Sequence, residues 1–370
     1  MRLTELRVLP VAVPLRQPFR SAHEQLKMRQ LTLIYLRSDA GFEAVGELEA
    51  FTEPGYSPEL QESERQALLE QLVPVLKAAP TVPELTAESL WPNVAGHRMA
   101  KAAIELPLWS LKAQEAGLTL AELLARSVGD TVQPAIPVGI SLGVADLATQ
   151  LKRIKWAVTA GYSRVKLKVA GLDDLSTVKA VRQAFPRLQL IVDGNEAFQL
   201  TDAATLATLA AAEVIMIEQP LRAGDFVGHA KLQASLPFAI CLDEDILSVE
   251  DVERVVRLGS ARSLNLKPSR VGGFAESLKI LRLANAHQLD CWVGGMVESS
   301  AGRYYAQSLA QLSSFKFPGD VGPSEQFFTA PLSTWQPPLR NRRLQLGDQP
   351  MPKLTPEMAA RFQRQRNLLA

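Results

Sequence analysis

Five charged residues recur along this chain at a nearly constant interval. Lys168, Asp193, Glu218, Asp243 and Lys267 are separated by 25, 25, 25 and 24 residues, and each ends a short run of strand composition, as in IVD, IMIE, ICLD and LNLK. A strand buried on both faces is otherwise apolar, so a charge at its end needs a reason. One such residue is most simply a solvated terminus or a helix cap; five in register are not explained that way. Strand-like runs at 136–140, 164–169, 188–193, 213–218, 238–243, 262–267 and 290–293, with a weaker one at 315–318, alternate with helical stretches. Such alternation implies parallel strands joined by right-handed crossovers. The expected architecture over 134–325 is a compact (β/α)8-type barrel, in which all strand C-termini point to one face and that face carries the active site.

The first 125 residues have a different texture. Strand composition at 31–36, a turn at Gly41 and a second run at 42–47 predict a hairpin. Helical spacing follows over 59–77, then over 100–116 with Pro107 inside it as a kink or late start, and over 118–125. This predicts an α+β domain over 1–125. The tail, 326–370, is polar and is expected to return to that domain.

The residue types at the strand ends suggest a chemistry. Asp193, Glu218 and Asp243 on adjacent strands place three carboxylates near a common point, where they repel one another unless a cation intervenes. All-oxygen ligands favour a hard ion, Mg2+ above all, with Mn2+ as a substitute. Lys168 and Lys267 flank the acids in strand order and would face each other across the ion. A lysine beside a divalent cation and a second ammonium should have a depressed pKa and act as a general base.

Composition narrows the alternatives. The 40 Lys and Arg balance 39 Asp and Glu, without the basic excess of a dedicated nucleic-acid binder. Two Cys and four scattered His offer neither a disulfide framework nor a Cys/His zinc site. Cys241 and Cys291 read as core residues of strands. No apolar run reaches the ~18–20 residues of a membrane span, and Pro10 and Pro14 break the apolar patch near the start, so a cytoplasmic location is expected. Neither a Walker A sequence nor G-x-G-x-x-G occurs. The segment Gly139-Ile140-Ser141-Leu142-Gly143 matches the loose G-x-S-x-G pattern of serine hydrolases, with His229 or His287 as the candidate base.

These residues resemble the enolase superfamily over nearly the whole chain. Val165-Lys166-Leu167-Lys168, Asp193-Gly194-Asn195, Glu218-Gln219-Pro220, Asp243-Glu244, and Asn265-Leu266-Lys267 followed by Arg270-Val271-Gly272-Gly273 occur in that family's order. Lysines on both sides of the site are similar to the muconate-lactonizing branch. Gly294-Gly295-Met296-Val297-Glu298-Ser299 and Pro318-Gly319-Asp320 resemble its o-succinylbenzoate synthase / N-succinylamino acid racemase group. The resemblance implies a capping domain built from both chain ends and a small-molecule carboxylate substrate whose α-proton is removed. It also implies an assembly of identical subunits. It makes Asp193, Glu218 and Asp243 the metal ligands and Lys168 the base. Lys267 would stabilise the enediolate, or serve as second base in a racemase. Arg270, three residues on, goes with racemase capability in this group.

Supporting roles are expected for several neighbours. Lys166 either lowers the Lys168 pKa or pairs with a carboxylate. Asn195 orients a ligand, Ser141 touches substrate, and Gly295, Met296 and Glu298 line the pocket after the seventh strand. Glu244 is expected to point away from Asp243, and Asp245 to cap the next helix. The stretch Phe19-Arg20-Ser21-Ala22-His23 departs from the group's usual loop over the substrate.

Overall fold

The computed structural model describes residues 1–20, 25–78, 80–81, 87–347 and 350–370. Ser21, Ala22 and His23 of the divergent loop lie outside them. The chain begins with three antiparallel strands, β1 (Leu3–Arg20), β2 (Gln25–Ser38) and β3 (Glu43–Leu48). Gly41 makes the expected turn between β2 and β3 with φ +84°, a conformation glycine adopts without steric cost. Helical segments over 61–78 and Arg98–Glu115 cover one face of this sheet, burying Leu36, Leu48, Leu72, Ile104 and Leu108.

Pro107 does not end its helix. It sits within an 18-residue helix, and β3 packs tightly there: a side chain at Gly46 would collide with the Ala103 carbonyl. Proline cannot donate the N–H that would normally reach that carbonyl, and a glycine opposite lets the strand backbone approach it closely.

Seven parallel strands follow in sequence order: β4 (Gly139–Leu142), β5 (Arg164–Lys168), β6 (Gln189–Asp193), β7 (Met216–Glu218), β8 (Ala239–Leu242), β9 (Ser263–Leu266) and β10 (Asp290–Val293). The eighth run, expected at 315–318, is not a strand. Its place is taken by backbone at 318–320: Gly139 N donates to Gly319 O at 2.8 Å, and Asp320 N donates to Val293 O at 3.0 Å. Those two bonds join the last strand to the first. The fold is thus a barrel-type parallel sheet beneath an α+β cap.

Period-2 alternation divides each barrel strand between two environments. Val165, Leu167, Leu190, Val192, Ile240 and Leu242 pack outward in the main core with the surrounding helices. Ile191, Met216, Cys241 and Trp292 form a separate small cluster inside the barrel. Cys241 and Cys291 are buried and unpaired, as expected of core residues. Two residues beyond Ile191, Met216 and Cys241 on the same inward face come Asp193, Glu218 and Asp243. The barrel interior is therefore an apolar floor with a charged layer above it.

The tail touches both parts of the molecule. Residues 339–345 form a hairpin paired with Ala135–Ile136. The helix Pro356–Gln363 reaches β1, where Phe362 O and Gln365 O accept from Arg7, and Leu368 N donates to Leu6 O. No described helix is long and apolar enough to cross a membrane.

Candidate active site

Strand β5 carries three cations on its inward face because Arg164, Lys166 and Lys168 are two apart. Its register sets Lys168 opposite Asp193, and β6 then sets Asp193 opposite Glu218. Lys168 Nζ lies 2.7 Å from Asp193 Oδ2 and 2.5 Å from Asn195 Oδ1. Lys166 Nζ grips both Glu218 oxygens at 2.9 and 2.8 Å and lies 2.9 Å from Asp320. Lys166 therefore pairs with carboxylates. Burial opposes its charge, but Asp320, Glu218 and Asp193 outweigh burial and hold its pKa well above the usual lysine value.

The opposite wall is built around Asp243. Its carboxylate lies 2.8 Å from Lys267 Nζ and pairs with the Arg270 guanidinium, which also donates to Asn265 O at 2.6 Å. Burial alone would raise the Asp243 pKa; Lys267 and Arg270 overcome it and hold it well below the carboxylate range. Burial likewise works against the Lys267 ammonium, but Asp243 and the Tyr56 oxygen prevail and raise its pKa. Asn265 Nδ2 donates to Glu218 Oε1 at 2.9 Å. A side chain at Gly294 would strike Asn265 Oδ1 and Lys267, so the loop after β10 needs glycine to pass so close.

Backbone strain gathers at this mouth. Asn195, Glu196, Gln219 and Val297 all have positive φ, and none is glycine. A left-handed β-branched residue such as Val297 is unfavourable in isolation, and such costs cluster where surrounding structure enforces a functional geometry.

A cavity of about 80 Å³ lies over the charged layer, lined by Lys166, Lys168, Asp193, Asn195, Asp243, Lys267, Ser141, Gly295 and Met296. Glu218 is beneath it, fully buried. Arg270 is behind Asp243. Glu298, expected to line the pocket, is instead turned into the protein: it accepts from Met296 N at 2.6 Å and pairs with Arg303 at 3.2 Å. Glu244 also departs from expectation. β8 stops at Leu242, so strict alternation ends there, and Glu244 folds inward to accept from Asn195 Nδ2 at 3.1 Å. Asp245 caps no helix; it accepts from Gln219 Nε2 at 2.7 Å and Gly224 N at 2.6 Å, fastening the loop after β7. Ser248 and Asp251 form the cap of the next helix.

Two site residues escaped the sequence reading as functional candidates. Tyr56, from the cap, places its hydroxyl 2.8 Å from Lys267 Nζ and 2.7 Å from Arg270 Nη1. Burial pushes its pKa to about 12. Asp320, at the reduced eighth strand, binds Lys166 and Arg164. Its place just after the weak eighth run was the available signal; nothing in the local pattern marks Tyr56.

Among the described residues no three His, Cys, Asp or Glu side chains are gathered to hold a metal ion, because Asp193, Glu218 and Asp243 each turn to a lysine or arginine. The donor chemistry nevertheless fits a hard divalent cation: three buried carboxylates at neighbouring strand ends with oxygen-only donors. Glu218 carries the cost of that crowding. Burial, Asp193 and Asp243 together push its pKa up to about 7 despite Lys166.

The serine-hydrolase pattern lacks its machinery. Ser141 lies within β4 and its buried Oγ has no hydrogen-bond partner among the described residues. The His229 ring is engaged elsewhere, near Asp225 O and Leu221 N.

An antiparallel cap over a parallel barrel, with three successive strand-end acids flanked by a lysine on either side, defines a barrel enzyme of acid–base chemistry. The chain belongs to the enolase superfamily: residues 3–125 match the mandelate racemase / muconate lactonizing enzyme N-terminal domain, and residues 146–350 match the enolase C-terminal domain-like family. It is 39% identical over 329 residues to the o-succinylbenzoate synthase of Enterococcus faecalis, covering 89% of this chain and 88% of that one. It is 35% identical over 332 residues to the N-succinylamino acid racemase of an Amycolatopsis species, covering 89% and 88%. A solved enolase-superfamily structure from Listeria innocua superposes with a TM-score of 0.90 at 35% identity, over 100% of both chains.

Proposed function

We propose that this chain is an o-succinylbenzoate synthase. The reaction is the syn dehydration of 2-succinyl-6-hydroxy-2,4-cyclohexadiene-1-carboxylate to 2-succinylbenzoate in menaquinone biosynthesis, with N-succinylamino acid racemisation as a second activity. One observation carries the reading: Lys168 and Lys267, from strands at opposite sides of the carboxylate arc, line the same small cavity. Relatives named for both activities support it.

Asp193, Glu218 and Asp243 would hold Mg2+, or Mn2+ in its place. When bound, the ion neutralises the substrate carboxylate and so makes the α-proton more acidic. Lys168 Nζ removes that proton; in the dehydration it then returns it to the departing hydroxyl on the same face. Lys267 supplies a fixed positive charge to the enediolate oxygens from the other side. In racemisation Lys267 delivers a proton to the face opposite Lys168. Asn195 holds Lys168 in place through its amide oxygen, Lys166 balances Glu218, and Arg270 holds Asp243 toward Lys267. Ser141, Gly295 and Met296 contact the substrate.

The test supplies purified protein and Mg2+ with the cyclohexadiene carboxylate and, separately, with an N-succinylamino acid in D2O. Conversion to 2-succinylbenzoate that stops on chelation is expected, with α-deuteration of the second substrate. Absence of both reactions would remove this reading.

A further inference from the structure

A second cavity, about 570 Å³, opens beside the first and shares Phe19, Ser141, Gln326 and Phe327 with it. The first, at about 80 Å³, is too small for a whole substrate, since small-molecule sites run to ~300–1,000 Å³. The second is of that size. One wall is the helix Leu147–Ala160, whose Thr149, Lys152, Arg153 and Trp156 all face the cavity. Their spacing of three, four and seven residues puts them on a single helix face. Arg16 adds a third cation from the cap, although its Nε already donates to Phe328 O at 2.8 Å. Glu325 is the one acid among the described lining residues. Among the described residues neither Lys152 nor Arg153 has an ion-pair partner. At the shared wall, the buried Ser141 Oγ lacks a hydrogen-bond partner among the described residues and is a polar group awaiting one.

We infer that this second cavity is an anion-binding annex for the distal carboxylate of the substrate's acyl arm, held by Lys152 and Arg153. The inference rests on the function proposed above. The reacting carbon stays between Lys168 and Lys267, while the arm passes Ser141 and Gln326, alongside the edge-to-face pair of Phe19 and Phe327, into the annex. A succinyl arm ends in a carboxylate and meets the two cations; an acetyl arm ends in a methyl group and does not reach them. Trp156, about half exposed, presents its ring beside them as an apolar wall for the methylene groups. The annex thus selects dicarboxylic acyl groups without touching the chemistry.

Calorimetric titration of the Mg2+-loaded protein with racemic N-succinylphenylalanine and racemic N-acetylphenylalanine tests this, racemates being used so that turnover contributes no heat. Wild type is expected to bind the succinyl compound about tenfold more tightly, as two partly exposed ion pairs would give. The Lys152→Gln/Arg153→Gln variant should lose that preference. Lys155→Gln, on the same helix but not in the cavity lining, should keep it. An equal preference in wild type and double variant, or no preference in wild type, overturns the annex. Failure of the proposed function shows separately, as wild type that neither dehydrates nor racemises with Mg2+ present.

Discussion

The hydroxyl of Tyr56, carried by the cap, lies 2.8 Å from the ammonium of Lys267, carried by the barrel. The same oxygen accepts from Arg270 at 2.7 Å and faces Asp243 at 3.4 Å. The cap therefore supplies a hydrogen-bond partner to Lys267, whereas among the described residues the partners of Lys168, Asp193 and Asn195, belong to the barrel. Tyr56→Phe should slow proton exchange on the Lys267 side by ~10-fold or more, as expected for loss of a hydrogen bond to a charged group. Deuterium incorporation into each enantiomer of an N-succinylamino acid, followed by NMR in D2O, reads the two faces separately. Equal slowing of both enantiomers would contradict a role confined to Lys267.

Lys168 and Lys267 should fail differently. Under the proposed function Lys168→Ala removes the group that takes the proton and returns it to the leaving hydroxyl, so dehydration and racemisation should both be abolished. Lys267→Ala removes a fixed charge from the dehydration, where losses of ~10²–10³-fold in kcat are expected for one electrostatic stabiliser. In the racemisation it removes a base, and turnover should vanish. Single-turnover and steady-state assays of both reactions check this; dehydration at wild-type rates in Lys267→Ala would sink its electrostatic role.

What the sequence made legible follows from physics that acts locally. Strand alternation fixes that Lys166 and Lys168 share a face, and that Asp193, Glu218 and Asp243 share one with Ile191, Met216 and Cys241. That pattern is written in neighbouring residues. Tyr56 reaches the site only because a loop of the cap folds over the barrel, and no local periodicity encodes such a meeting. The eighth strand was misread because two backbone hydrogen bonds at Gly319 and Asp320 close the sheet without needing an apolar run. Glu244 was misplaced by extending alternation past Leu242, where the strand has ended. Glu298 has a charge in a promising loop, but its partner Arg303 lies on the following helix and draws it inward.

The metal-free protein should lose stability as pH rises from about 4.5 to about 7, through Glu218. Burial with Asp193 and Asp243 nearby raises its pKa from 4.5 to about 7 in the folded chain. A raised carboxylate binds its proton more tightly when folded, so its contribution is complete below the unfolded value and disappears as pH passes the folded one. Asp193 and Asp243, both lowered, act in the reverse sense, and only toward more acidic pH. The difference in melting temperature between wild type and Glu218→Gln, measured in EDTA across pH 4 to 8, isolates the Glu218 contribution. Added Mg2+ should raise the wild-type melting temperature more at pH 8 than at pH 5, because protonated Glu218 competes with the ion. A Mg2+ effect independent of pH would count against Glu218 as a ligand.

The cap is also fastened to the barrel by a buried acid, Glu105, on the helix Arg98–Glu115. Its Oε2 accepts from Phe274 N at 2.8 Å and its Oε1 from Ala275 N at 2.9 Å. These are first-turn N–H groups of the barrel helix Phe274–Ala286, which lack partners within their own helix. Trp109 Nε1 donates to the same carboxylate at 2.7 Å. A carboxylate there satisfies three donors and meets the positive end of the helix dipole. Glu105→Ala would strand those donors in a largely buried contact and should cost ~2–4 kcal/mol. Glu105→Gln keeps one acceptor oxygen and should cost less. Gly273 offers the same junction from the barrel side: its φ is +122°, and a side chain there would strike the Glu105 carboxylate. Gly273→Ala should therefore destabilise the protein as well, and combining it with Glu105→Ala should cost less than the sum of the two, because the carboxylate that the new methyl group strikes is already gone. Urea unfolding midpoints of the two single variants and the double variant measure that coupling, and strict additivity would show that the two residues do not meet.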